Sequence, residues 1–276
     1  MKTINKLAAV ALTLCVAGTA EAGKGGSSAL IQQAVASGSQ DAIIAEVERT
    51  EGLMCAECIQ SVQNLTADNR FAVREVAAWW FAKRPALAGK LAIQFEKDLG
   101  TGDSIRVRNA ADFLGSIKEL KALPQLRSAM NPALSSEAKL ALVRAVGYMA
   151  HTGGNPVLEA AMVDTDPAVR TASVDAWRDM IHQDGNIGVI EARLADADST
   201  VRAHAATVVG AKHDMNARVS LENLVVNDAD PYVRRNAAYA LGKLGAAESR
   251  AALELASGDK SGIVKGVAKA ALASLR

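Results

Sequence analysis

Seven short motifs recur along the chain at nearly constant steps of 31 to 34 residues. The clearest copies read Asp-x-Asp-Pro/Ser-x-Val-Arg and begin at Asp164, Asp196 and Asp228. The weaker copies keep only an apolar residue followed by arginine or lysine. We call that apolar residue the anchor. The anchors are Val73, Val107, Ala138, Val169, Val201, Val233 and Val264. So regular a step indicates stacked repeats, in which each unit packs against its neighbours.

Each repeat has the pattern of a helical hairpin. The aspartate three residues before the anchor can cap a helix, and Pro or Ser then suits the first turn. Small or apolar residues recur four, seven and eight residues after the anchor, as in Ala237, Ala240 and Leu241, which places them on one helix face. Gly210 and Gly242 follow where the helix can end, and a second helical segment comes next. The sequence therefore predicts an all-α fold.

Residues 64–276 resemble HEAT-like repeats of the short type found in phycobilisome bilin lyases and related proteins. The resemblance rests on the Val-Arg anchors, the aspartates before them and the run Ala-Ala-Tyr-Ala-Leu-Gly at 237–242. It implies a right-handed α-solenoid of about seven helical hairpins, with a concave face lined by the second helices. It also brings in chromophore attachment or handling as one function to consider.

The first 22 residues have the features of a secretory signal peptide. Lys2 and Lys6 precede a short apolar stretch, and an Ala-x-Ala cleavage signal ends at Ala22. The apolar stretch is shorter than the roughly 20 residues that a membrane span needs. Lipid attachment at Cys15 is a less favoured alternative. We expect the mature protein to act in the periplasm or as a secreted protein, with no membrane insertion after cleavage.

The rest of the chain divides into three parts. Residues 23–28 form a flexible leader, residues 29–63 form an N-terminal helical cap that contains a Cys-x-x-Cys motif, and residues 64–276 form the solenoid. The formal net charge of the whole chain is only +1, so no bulk attraction favours a nucleic-acid partner.

A basic residue that follows the anchor suggests a ladder along the stack. Arginine occupies this position in five repeats, at Arg74, Arg108, Arg170, Arg202 and Arg234. Aspartates recur three and five residues before the clearest anchors, close enough to serve as partners, and those three residues before are Asp166, Asp198 and Asp230. We interpret these residues as a structural ladder of Asp–Arg pairs that ties the turns together. An anion-binding stripe is the alternative interpretation.

The pair Cys55 and Cys58 is the sharpest local motif. In an oxidising compartment two cysteines this close favour a disulfide, here at the start of a helix over 55–65. A redox-active dithiol is an alternative, since a helix N-terminus lowers a thiol pKa. Metal binding and covalent haem are less favoured, because a second Cys-x-x-Cys is missing and Ile59 replaces the histidine of the haem motif.

Three aromatic residues lie six positions after an anchor, about 120° away from the buried face of a helix by its geometry. They are Trp79, Phe113 and Tyr239. They are candidate contact residues for a partner, whereas for Trp79 packing on the N-terminal cap or on the Cys55–Cys58 turn is the favoured interpretation. Trp80 and Phe81 fall at core positions.

No catalytic constellation is recognisable. The four histidines are scattered over different repeats, and none is followed by the glutamate of the paired His-Glu motifs that HEAT-like hydroxylases carry. The sequence therefore predicts no metal site, no cofactor and no catalytic residue.

Three functions are compatible with these features. The favoured one is a non-catalytic scaffold that binds a protein or peptide outside the cytoplasm, because solenoids create long concave surfaces. The second is a protein that, like a bilin lyase, attaches or handles a chromophore. The third is a thiol redox accessory that uses Cys55 and Cys58.

The intact mass of the exported protein tests both the cleavage of the signal peptide and the disulfide between Cys55 and Cys58. We expect a chain that begins at Gly23, is two hydrogens lighter than the fully reduced chain, and resists alkylation until it is reduced. Free thiols, or an added mass the size of a lipid, haem or bilin, would contradict this expectation.

Overall fold

The computed structural model describes residues 27–52, 55–180 and 186–275. The signal peptide and most of the leader lie outside the described residues. All regular secondary structure in the described ranges is helical. No helix in these ranges is both long and apolar enough to cross a membrane.

Three helices form the N-terminal end of the molecule, in the part of the chain predicted as a cap. They are α1 (Ser28–Ser37), α2 (Gln40–Arg49) and α3 (Ala56–Leu65). The side chains of Ser27 and Ser39 accept hydrogen bonds from backbone N–H groups in the first turns of α1 and α2, which satisfies donors that a helix leaves free. These helices pack on each other, and α2 and α3 pack on the first repeat.

Trp80 joins this end to the first repeat. Its side chain is fully buried, and its indole Nε1–H donates a 2.8 Å hydrogen bond to the hydroxyl of Thr50. The Arg84 guanidinium lies 3.4 Å from the centre of the indole ring and donates to the backbone carbonyls of Thr50 and Glu51. The turn after α2 is therefore fixed to the solenoid by buried polar contacts.

Each repeat contributes a first helix that begins near its anchor. These helices are α4 (Phe71–Ala82), α6 (Ser104–Ser116), α8 (Ser136–Met149), α10 (Pro167–Asp179), α12 (Ser199–Ala211), α14 (Pro231–Leu244) and α16 (Gly262–Ser274). The anchors are fully buried in all seven of these helices.

A second helix follows each first helix except α16 within the described residues. The second helices are α5 (Pro85–Leu99), α7 (Leu123–Ala129), α9 (Asn155–Ala161), α11 (Gly188–Glu191), α13 (Arg218–Asn227) and α15 (Arg250–Ser257). One-turn 3₁₀ helices precede α7, α9, α13 and α15, and another follows α11. The chain is thus an all-α solenoid of helical hairpins, as the sequence predicts.

Small residues bring the first helices of successive repeats very close together. A Cβ atom at Gly115 would lie 2.5 Å from the Cα atom of Ala145, and one at Gly210 would lie 2.6 Å from the Cα atom of Ala240. The first helices also pack on one another more extensively than the second helices do. The row of first helices is therefore the shorter, inner side of the stack.

The expectation that second helices line the concave face is therefore wrong. Tyr148 on α8 reaches past α6 to donate a 2.8 Å hydrogen bond to Glu75 on α4, which requires these first helices to curve toward each other. We call the exposed side of the first helices α4 to α16 the inner face.

The substitution Gly115→Ala tests this close packing. The added methyl group has no space beside Ala145, so we expect the free energy of unfolding to fall by about 1–3 kcal/mol. Urea denaturation followed by far-UV circular dichroism measures it.

Gly89→Ala is the matched control, because Gly89 lies inside α5 and a Cβ atom there meets nothing within 4 Å. We expect this variant to be more stable by about 0.5–1 kcal/mol, since alanine loses less entropy in a helix. Equal stability of the Gly115 variant and the wild type would contradict the close approach of α6 and α8.

Candidate binding site on the inner face

The arginines after the anchors bridge successive repeats. Arg170 donates from Nε and Nη2 to the two carboxylate oxygens of Asp196, at 2.9 and 2.7 Å. Its Nη1 donates to the backbone carbonyls of Asp164 and Thr165 in its own turn. Each such guanidinium therefore holds one turn to the next through paired, charge-assisted hydrogen bonds.

The same arrangement repeats twice toward the C-terminus. Arg202 pairs with Asp228 and Arg234 pairs with Asp259, each through two hydrogen bonds of 2.6 to 3.0 Å. The hydrogen bonds from Arg234 hold the pKa of Asp259 below its usual value. The acceptor in every case is the aspartate five residues before the anchor of the following repeat.

The aspartates predicted as ladder partners have a different role. Asp166, Asp198 and Asp230 accept hydrogen bonds from backbone N–H groups at the starts of α10, α12 and α14. Their assignment as arginine partners is wrong, because a helix N-cap side chain faces its own first turn. They contribute to the ladder only indirectly, by fixing where each first helix begins.

Three further ties continue the ladder toward the N-terminus with different partners. Lys139 contacts Asp164 at 2.7 Å, and Arg108 contacts Glu137 at 2.9 Å. Arg74, which is 2% exposed, pairs with the buried carboxylate of Asp112 through bonds of 2.9 and 2.7 Å. The five arginines are thus engaged with protein groups, which does not favour an anion-binding stripe.

Asp112 is shared by two arginines. Its second oxygen accepts from Arg144, with the Nε atom at 3.1 Å. The Arg144 guanidinium in turn lies 3.9 Å from the centre of the Phe71 ring. Residues from α4, α6 and α8 are therefore tied together at this carboxylate.

A groove of about 490 Å³ opens on the inner face beside this cluster. We call it the Trp79 groove. It is lined by Ile44, Glu48, Ala72, Glu75, Val76, Trp79, Ala82, Ser116, Lys118 and Tyr148. The cap helix α2, the first helix α4, the end of α6 and the end of α8 supply these residues, so the groove exists only when the cap and three repeats are assembled.

The floor of the Trp79 groove is apolar and its rim is polar. Trp79 is partly buried against the core, and the ammonium group of Lys83 lies 5.5 Å from the centre of its ring. Glu75 and Tyr148 close one end through their hydrogen bond. Burial and this bond raise the pKa of Tyr148 to about 12. The groove therefore combines an aromatic wall with groups that can accept or donate hydrogen bonds.

Phe113 is a core residue, so its prediction as a contact residue is wrong. It is 1% exposed, and its ring lies 4.6 Å from the ring of Phe95 and 5.9 Å from that of Phe81, between centroids. The three rings fill the space between α4, α5 and α6.

A one-residue shift in α6 explains this burial. Gly115 meets Ala145 in the way that Gly210 meets Ala240, and Gly210 lies nine residues after its anchor. The matching anchor position in α6 is therefore Arg106, one residue before Val107. Counted from there, Phe113 falls at the core position seven residues after the anchor. The alignment of the glycines was the sequence signal that could have revealed the shift.

Tyr239 is 43% exposed and lies on α14, far along the inner face from Trp79. It lines a separate depression of about 200 Å³ with Gly242, Lys243 and Val267. The structure thus places Trp79 and Tyr239 on the same face without bringing them together.

Cys55 and Cys58 form a disulfide at the start of α3. The sulfur of Cys55 accepts a 3.1 Å hydrogen bond from the backbone N–H of Cys58, so Cys55 also serves as the N-cap. Cys58 is fully buried, whereas Cys55 is partly exposed.

His204 pairs with Asp175 on the inner face, with its Nδ1 atom 2.8 Å from a carboxylate oxygen. This hydrogen bond raises the pKa of His204 above its usual value. Across the described ranges, no group of three or more His, Cys, Asp or Glu residues is placed to hold a metal ion. His182 lies outside those ranges.

The architecture and this face define a repeat protein of the α-solenoid class. Residues 188–273 match the family model described as HEAT repeats. A comparison with curated protein sequences gave no match.

Three solved structures are similar to this chain, and the first of them shows the same fold. The Escherichia coli protein YibA is 15% identical, with a TM-score of 0.56, and the match covers 88% of this chain and 91% of that one. Human deoxyhypusine hydroxylase is 18% identical, covering 89% and 96%, with a TM-score of 0.39. The CpcE–CpcF complex of phycocyanin lyase from Nostoc sp. is 21% identical, covering 79% and 94%, with a TM-score of 0.40.

Asp112→Asn tests the shared carboxylate. The substitution removes the negative charge from between two guanidinium groups, one of them buried. We expect the free energy of unfolding to fall by about 3–5 kcal/mol, as when one partner of a buried pair is lost. Chemical denaturation measures this loss.

Asp103→Asn is the control, because Asp103 caps α6 from an exposed position and asparagine caps as well as aspartate. Its stability should change little. If the free energy of unfolding of the Asp112→Asn variant also changes little, the shared carboxylate does not hold the repeats together.

Proposed function

We propose that this protein is a non-catalytic scaffold that binds a protein or peptide outside the cytoplasm. The observation that supports the proposal is the Trp79 groove, an open depression with an apolar floor and a polar rim on the inner face. Ligand sites commonly combine an apolar lining with a few orienting polar groups, and tryptophan is enriched among residues that dominate binding energy.

An extended segment fits this groove better than a compact surface does. The groove is bounded by α2 at one side and by the Glu75–Tyr148 hydrogen bond at another, so a flat partner reaches only its rim. One apolar side chain can lie against Trp79 and Val76, while Glu48 and Lys118 pair with polar groups beside it. The export part of the proposal rests on the N-terminal sequence alone.

Trp79→Ala tests the binding role. Peptides selected from a random library on the mature protein provide the ligands, and isothermal titration calorimetry gives their Kd values. We expect Trp79→Ala to weaken binding by about 30-fold or more, the size of a hot-spot loss of about 2 kcal/mol.

Ile93→Ala is the matched control, since Ile93 is 59% exposed on the second helix α5. Its peptide affinity should stay within about twofold of the wild-type value, because it lies off the inner face. If no selected peptide depends on Trp79, the groove is not the binding site.

A second candidate function is thiol–disulfide exchange, which the placement of the two cysteines supports. Cys55 is partly exposed at a helix N-terminus, and Cys58 is buried behind it. In the reduced protein the Cys55 thiolate would attack a substrate disulfide, expel one substrate thiolate and form a mixed disulfide. The Cys58 thiolate would then displace the second substrate thiolate, leaving the protein oxidised and the substrate reduced.

The reduction potential of the Cys55–Cys58 pair separates a redox role from a structural one. A value above about −250 mV, in the range of thiol oxidoreductases, would support exchange, and a value below about −300 mV would mark a structural bond. Equilibration with glutathione buffers gives this value. Chromophore handling stays a hypothesis, which the visible absorption spectrum of the purified protein tests.

A further inference from the structure

A second surface lies on the inner face of the C-terminal repeats. The helix α14 presents Tyr232, Arg235, Tyr239 and Lys243 at steps of three and four residues, a spacing that aligns side chains on one side of a helix. Tyr232 is 60% exposed and Tyr239 is 43% exposed. We call these four residues the Tyr239 face.

The Tyr239 face is a ridge between two depressions. One, of about 270 Å³, lies between α12 and α14 and is lined in part by His204, Tyr232 and Arg235. The other, of about 200 Å³, lies between α14 and α16, where Val267 and Ala270 give it an apolar floor. Side chains of a bound segment can therefore enter on both sides of α14.

The cations of this surface lack acidic partners among the described residues. Arg235 donates from Nε to the neutral Asn236 side chain at 2.9 Å, and no ion pair involves Arg235 or Lys243 in the described ranges. The ladder arginines, in contrast, each hold a carboxylate. The positive charge of the Tyr239 face is thus available to a ligand.

Each cation also lies beside an aromatic ring. The Arg235 guanidinium is 5.8 Å from the centre of the Tyr232 ring, and the Lys243 ammonium is 5.4 Å from that of Tyr239. A cation over the face of an aromatic ring is attracted by the ring, which favours positions close to it. A carboxylate that pairs with it can therefore bring its own apolar neighbour against the ring.

The carboxylates around the surface are already engaged. Asp175 pairs with His204, Asp179 pairs with Arg178, and Asp230 caps α14. They do not neutralise Arg235 or Lys243.

We infer that the Tyr239 face binds an acidic peptide segment of a partner protein, in which glutamate or aspartate side chains alternate with apolar ones. The carboxylates pair with Arg235 and Lys243, and an apolar side chain enters the depression over Val267. Charge-assisted hydrogen bonds and exposed tyrosines together supply the affinity. The inference rests on the proposed binding role of the inner face and adds the chemistry of the partner.

Three fluorescein-labelled peptides of twelve residues test the inference on the full mature protein. All three have leucine at the same alternate positions. The positions between the leucines are glutamate in the first peptide, glutamine in the second and lysine in the third. Fluorescence anisotropy gives the Kd values at low and high salt. We expect the glutamate peptide to bind about tenfold or more tightly than the glutamine peptide and to weaken as salt rises, since exposed charges are screened.

Paired variants locate the site. Arg235→Gln with Lys243→Gln should weaken the glutamate peptide about tenfold or more, toward the affinity of the glutamine peptide. Lys90→Gln with Lys97→Gln removes the same charge from exposed positions of α5 and should leave the affinity within about twofold.

Each opposite result overturns the inference. If the glutamate and glutamine peptides bind equally well, the partner is not acidic. If the Arg235/Lys243 variant keeps its affinity for the glutamate peptide, the Tyr239 face is not the site. Tighter binding of a labelled twelve-residue oligothymidylate than of the glutamate peptide assigns the surface to nucleic acid instead. If Trp79→Ala alone abolishes binding of the glutamate peptide, the Tyr239 face is not the binding site, but the proposed scaffold function stands.

Discussion

The guanidinium group that follows the anchors Val169, Val201 and Val233 is the interaction on which the stack depends. It satisfies the carbonyl oxygens of its own turn and at the same time grips a carboxylate in the next turn. The side chains of these arginines are at most 17% exposed in the three clearest ties. Such pairs exclude most of the water that weakens surface salt bridges, and their fixed fork geometry sets the angle between neighbouring repeats.

The repeat pattern was readable from the sequence because it depends on local chemistry. Caps such as Asp166 and Asp230, the apolar positions after them and the even spacing all act within one hairpin, so they leave a direct imprint on the chain. The fold class, the buried Trp80 and the exposed Tyr239 follow from these local rules.

What the sequence did not disclose depends on contacts between hairpins. The partner of Arg170 lies 26 residues ahead, and no local rule distinguishes it from the nearer Asp166. Phe113 was misplaced because α6 carries one extra residue between its cap, Asp103, and Val107, so positions counted from Val107 are shifted by one. The concave side was misassigned because it depends on how closely Gly115 and Gly210 let two helices approach.

The shared carboxylate of Asp112 divides the solenoid into two mechanical regimes. Toward the C-terminus, each tie joins only nearest neighbours, so one repeat can open without disturbing the repeat beyond it. Around Asp112, and across the Glu75–Tyr148 bond, three repeats are joined at once. We therefore expect that end to resist bending as one unit and the other end to bend between single repeats. A partner that contacts both the Trp79 groove and the Tyr239 face would therefore bind a stiff end and a more flexible end of the same solenoid.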